Sequence, residues 1–96
     1  SQPCPYCEGS GMVRSVTTVT FDTFRRLQSL FCRTAEQHVI LQAHPDVARR
    51  LETENRGILD LILEKFNRQI TIEAVDGFHI HDIHILRART RQEIED

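Results

Sequence analysis

Apolar residues at Thr20 (through its methyl), Phe24, Leu27, Phe31 and Ala35 recur at the three-and-four spacing of one helical face, while Asp22, Arg26, Ser29 and Arg33 fall opposite. The spacing predicts a helix over about residues 18–35, N-capped by Thr18 or Thr20, with Asp22 in its first turn. Cys32 lies at the edge of the stripe beside Phe21 and is expected to be a small buried hydrophobe. His38 to Ala43 is a short continuous apolar run with β-branched members, the pattern of a central strand covered on both faces or nearly so. His44-Pro45-Asp46 then starts a second helix: Pro45 suits the first helical position, where no amide donor is needed, and His44 serves as its cap. Val47, Ala48 and Leu51 form the buried face of that helix, which ends near Glu54. A third helix follows Gly57 with a stripe of Ile58, Leu59, Ile62, Leu63 and Phe66, and Asn67 is suited to a left-handed cap at its end.

From Gln69 to Val75 the period changes to two, with Ile70, Ile72 and Ala74 inward and Thr71 and Glu73 outward. Asp76-Gly77 marks a turn. Phe78 and Ile80 have the opposite parity to Ile83 and Ile85, which places a loop at 76–81 and a last strand at about 82–89. The order helix-strand-helix-helix-strand-strand gives an α/β (α+β) two-layer domain, a three-stranded mixed sheet backed by helices. The first two strands are expected parallel and the last two an antiparallel hairpin. Residues 1–16 form a cysteine knuckle and linker, residues 17–90 the domain, and residues 91–96 a frayed tail.

Composition alters this picture little. The 96 residues carry 27% charged and 40% hydrophobic side chains and a net charge of −2, ordinary for a single soluble domain and uninformative about nucleic acid. The kind of cation says more. Eleven of the twelve basic residues are Arg and Lys65 is the lone Lys, a bias toward bidentate contacts with carboxylate or phosphate. No run approaches the roughly 20 apolar residues of a membrane span and no signal-peptide layout is present, so the expected location is cytoplasmic. Three cysteines, two of them in Cys-x-x-Cys, fit a reducing compartment.

The specific chemistry sits in Cys4-Pro5-Tyr6-Cys7-Glu8-Gly9-Ser10-Gly11. Two thiolates at this spacing grip one side of a tetrahedral Zn²⁺, and a closed structural site needs four ligands. Gly9 and Gly11 allow the positive φ with which backbone amides wrap thiolate sulfurs. No second Cys-x-x-Cys exists in the chain, so three readings stand: the other ligands come from a second chain, they come from Cys32 and a histidine, or the motif is not a metal site. Cys-Pro-Tyr-Cys also resembles the glutaredoxin redox pair. That reading needs a strand before Cys4 and a helix opening at the cysteines, and the chain offers neither. Chaperone zinc domains repeat Cys-x-x-Cys-x-Gly-x-Gly several times, against one copy here.

From Cys4 to Ser15, with Met12-Val13-Arg14 after the glycines, the stretch looks like the zinc-link of the bacterial ribonuclease E/G family. The likeness continues through the aromatic and leucine-faced helix, the strand, His44-Pro45-Asp46-Val47-Ala48-Arg49-Arg50-Leu51, and Asp82-Ile83-His84-Ile85-Leu86-Arg87-Ala88-Arg89, which are similar to the small C-terminal domain of that family's catalytic region. The resemblance implies that Cys4 and Cys7 are half of a zinc site completed by the same pair of a second protomer, in a homodimer that assembles to a tetramer. It also implies a parent endoribonuclease that cleaves single-stranded RNA with Mg²⁺ held by acidic residues of a preceding domain, none of them in this chain. The chain, which starts almost in its motif, is then a non-catalytic piece of a longer protein. The alternative is an independent zinc-knuckle adaptor for RNA or protein.

Two weaker constellations remain. Arg87, Arg89 and Arg91 alternate and would form one basic stripe on an extended chain, either a phosphate-contacting RNA-binding edge or a charged edge that resists unwanted strand pairing. His79, His81 and His84 are close enough in sequence for a second metal site, with polar loop residues as the plainer account.

Overall fold

The computed structural model describes residues 15–94. Within them the elements are α1 (Val16–Arg33), β1 (His38–Ala43), α2 (Pro45–Glu52), α3 (Arg56–Phe66), β2 (Gln69–Ala74) and β3 (Ile83–Arg87), in the expected order. The knuckle lies outside the described residues.

Helix α1 starts earlier than the spacing suggests because Ser15, just ahead of the β-branched Val16-Thr17-Thr18-Val19-Thr20 run, supplies the cap. Its hydroxyl accepts from the Thr18 amide at 3.1 Å. Thr20 and Thr23 instead donate back to the carbonyls of Val16 and Val19 at 2.7 and 2.8 Å, which satisfies their hydroxyls inside the apolar face. Val19, Phe24, Leu27, Leu30 and Phe31 complete that face. The helix stops at Arg33, so Ala35 is an exposed linker residue. Cys32 is exposed as well, contrary to the expectation of burial. Phe31 takes the core position there, and one further residue rotates the chain by about 100°, out of the stripe.

At α2 the local signals act as read. Pro45 occupies the first turn, and the His44 Nδ1 accepts from the Asp46 amide at 3.0 Å. Val47, Ala48 and Leu51 are buried, and the helix ends at Glu52. In α3, Leu59 and Ile62 are buried with Leu63 and Phe66 packed alongside, whereas Ile58 faces outward. Asn67 terminates it in the left-handed region at φ 56°, its amide donating to the carbonyls of Glu64 and Leu63.

Sheet order is β2-β1-β3. β1 pairs in parallel with β2, His38 opposite Gln69 through Ala43 opposite Ala74, and antiparallel with β3, Val39 opposite Arg87 through Ala43 opposite Ile83. The expected β2-β3 hairpin is therefore not formed. The Asp76-Gly77 turn is present, with Gly77 at φ 93°, but the chain then crosses past the end of β1 to its other edge. Asp82 holds this crossing: its carboxylate accepts from the His79 amide and its own amide donates to the His79 carbonyl, both at 3.0 Å. The exchange puts the most apolar strand in the middle, where Ile83 and Ile85 join Val39, Leu41 and Ala43 on the helix-facing side.

The segment after β3 is not frayed as far as it is described. Arg91 turns the chain at φ 60°, the Arg87 amide donates to the Gln92 carbonyl and the Ile94 amide to the Ile85 carbonyl, each at 2.8 Å. Ile94 is 5% exposed and belongs to the core with Ile85 and Leu30. Arg68 fastens a second junction. It donates to the Phe31 and Glu36 carbonyls at 3.1 and 3.0 Å and lies over the Phe31 ring, tying the exit of α1 to the chain leaving α3.

Candidate functional site

The sheet face turned away from the helices carries a row of polar side chains, of which the sequence had singled out His84. Register places Gln42, Glu73 and His84 in one row across the three strands. Glu73 accepts from Gln42 at 3.0 Å and from both terminal nitrogens of Arg91 at 3.1 Å, a bidentate pair reaching across the sheet from the turn after β3. His84 meets Glu93 through Nδ1 at 2.8 Å and packs against Phe78. Ile40 and Leu86, opposite each other on this same face, are only 6% and 7% exposed although the helices pack on the other side.

Arg87 and Arg89 do not share a stripe with Arg91. Both converge on Glu36 in the α1-β1 linker, Arg89 at 2.9 Å and Arg87 at 3.3 Å. The Glu36 carboxyl is held below its ordinary 4.5, chiefly by the hydrogen bond from Arg89; burial, the next largest effect, opposes this, and the charges of Arg89 and Arg87 add to the lowering. The Glu73 carboxyl is lowered mainly by its hydrogen bonds from Arg91 and Gln42. Arg89 and Arg91 are correspondingly raised. All three arginines thus face carboxylates of their own chain. A cleft of about 610 Å³ lies beside them, lined by Leu30, Arg33, Thr34, Arg87, Gln92, Glu93 and Ile94.

The three histidines are not brought to one point. His79 and His81 stack with ring centroids 5.5 Å apart, while His84 is engaged by Glu93 and Phe78. Among the described residues no group of three or more His, Cys, Asp or Glu side chains is placed to hold a metal ion. Cys4 and Cys7 lie outside the described residues. Sequence reasoning passed over Glu36, Glu73 and Glu93, the acceptors that organise this surface. Only the parity of Glu73 on β2 hinted at its face; Glu36 and Glu93 sit in segments with no period to read.

The match to known families decides the larger question. The model of the family described as RNase E/G, Thioredoxin-like domain matches residues 3–89. The chain belongs to this family. The matched span takes in Cys4 and Cys7 together with α1 through β3. A comparison with curated proteins gives no match. Among the described residues α1 opens at Ser15 and Val16, and Cys32 is on its outer surface. No helix among the described residues is long and apolar enough to cross a membrane.

Proposed function

We propose that the chain is an assembly module of a ribonuclease E/G-type endoribonuclease, one that links protomers and does not itself cleave RNA. The observation that carries the reading is the family match running unbroken from the knuckle through β3. Cys4 and Cys7 would give two thiolates to a Zn²⁺, and the same pair of a second protomer would complete the four-sulfur set that closes a structural site. Zinc supplies cross-linking there, and folding and association share the free energy of its binding. Cleavage of single-stranded RNA belongs to a different part of the enzyme, where Mg²⁺ is held by acidic residues. In support, several of the described carboxylates are engaged by basic side chains: Glu36 by Arg87 and Arg89, Glu73 by Arg91, Asp60 by Arg56, Asp46 by Arg49.

Metal content measured together with solution mass tests the proposal. Expected are about half a zinc per chain and a dimer, both lost on Cys4→Ser or on chelation. One zinc per monomer would refute the shared site and point to ligands from within the chain. A dimer indifferent to Cys4→Ser would refute the role of the knuckle in linking protomers.

A further inference from the structure

The large hydrophobic side chains left exposed in the described residues are Phe21, Ile58 and Leu61, at 40%, 38% and 66%. All three line one groove of about 300 Å³ between α1 and α3, whose floor is Phe24 and Ile62. The phases of the two helices create it. In α1 the core claims Phe24, Leu27 and Phe31, which leaves Phe21 at the rim with its ring edge-on to Phe24, centroids 5.8 Å apart. In α3 the core takes Leu59 and Ile62, which turns Ile58 and Leu61 toward the groove and solvent.

The polar lining has one sign. It consists of Arg25, Gln28 and Lys65, with no carboxylate. Arg25 is paired to Asp22 on its own helix. Lys65 has no carboxylate partner among the described residues and lies 5.4 Å from the Phe66 ring centroid. An apolar trough between two helices with a cationic rim has the form that receives the apolar face of an amphipathic helix.

We infer that this groove docks an amphipathic helix of another protein, with leucine-like side chains on the Phe24–Ile62 floor and acidic residues flanking its apolar stripe, facing Lys65 and Arg25. A second copy of the same face fits poorly, because a twofold contact would set Lys65 against a rim of the same sign with no carboxylate in the lining to receive it. The surface is built from side chains of α1 and α3 and does not rest on the zinc reading.

The test uses the full chain and two synthetic helices with the same leucines at i, i+3, i+4 and i+7, one flanked by glutamate and the other by lysine, read by fluorescence anisotropy. The glutamate-flanked helix is expected to bind about tenfold tighter, and Leu61→Ser to weaken it about tenfold. Leu61 is exposed enough for the fold to tolerate this change, which circular dichroism checks. Lys65→Glu should reverse the preference between the two helices, an effect that loss of folding cannot imitate. Equal binding of both helices, no binding, or binding indifferent to Leu61→Ser overturns the proposal. So does self-association abolished by Leu61→Ser, which would give the groove to a second copy, or tighter binding to anionic phospholipid vesicles than to the helix.

Discussion

Ile94 is the sharpest test of how the domain is closed. It belongs to a four-residue strap beyond β3 that the sequence marks only as a tail, yet its side chain is 5% exposed and packed with Leu30 and Ile85. Ile94→Ala removes three carbons from that site. At about 0.8 kcal/mol per buried methylene the transfer loss is about 2.4 kcal/mol, and a rigid interior would add a cavity cost on top. The strap is fastened to β3 by bonds from the Arg87 amide to the Gln92 carbonyl and from the Ile94 amide to the Ile85 carbonyl. A loss of about 2 kcal/mol is expected. For a domain this size, each kcal/mol lowers Tm by about 4–8 °C, so the midpoint should fall by about 8–16 °C.

The strap also carries a polar contact, His84 Nδ1 with the Glu93 carboxylate, whose side chains are 43% and 46% exposed. Exposed pairs contribute about 0.2–1 kcal/mol, so Glu93→Ala should cost clearly less than Ile94→Ala. Thermal unfolding of the two variants separates burial from charge as the fastening. Hydrogen exchange adds a local reading, with the Arg87 amide losing protection in Ile94→Ala but keeping it in Glu93→Ala. An Ile94→Ala cost below about 0.5 kcal/mol, or the reverse ranking, would refute the packed strap.

Two further perturbations follow from the geometry. Glu36 and Glu73 are depressed below 4.5 by arginines, so each favours the folded chain when ionised; that contribution is complete above about 4.5 and is lost as pH falls through the lowered values. Denaturant midpoints between about pH 3 and pH 7 should therefore show a gap between the native chain and Arg89→Ala or Arg91→Ala that narrows in acid, and a gap independent of pH would contradict the pairing. Asn67 holds φ 56° at the end of α3, where a side chain lacking the asparagine amide is strained, so Asn67→Ala should cost about 1 kcal/mol while Asn67→Gly is neutral or slightly stabilising by chemical denaturation.

What the sequence made legible were features decided within a few residues. His44-Pro45-Asp46 is a complete helix start in three positions, Asn67 a complete stop in one, and the unbroken apolar run at His38 to Ala43 identifies the strand with both edges used. The errors are nonlocal. A turn at Asp76-Gly77 suggests a hairpin, but β3 gains more by covering the free edge of β1, where Ile83 and Ile85 reach the helices, and no local signal records that choice. Ile94 reads as a lone apolar residue in a charged tail until β3 provides a place for it. Cys32 was misplaced by one step of helical phase beside a larger neighbour that fills the core. Cys4 and Cys7 stand apart, because they were read from residue types at fixed spacing, and the family match over residues 3–89 includes them.

The arginine bias changes meaning most. Read alone, eleven arginines against one lysine tilt the chain toward phosphate. In the fold many of these forks are used internally: Arg68 on the Phe31 and Glu36 carbonyls, Arg26 on the Ile83 carbonyl at 3.0 Å, Arg87 and Arg89 on Glu36, Arg91 on Glu73. These contacts join segments far apart in the chain. A planar fork can hold two acceptors at once, which suits it to fastening segments whose burial alone is modest. The lysine is the contrast. Lys65 has no such partner among the described residues and stands at the edge of the exposed apolar groove, a cation presented outward beside a surface the core leaves uncovered.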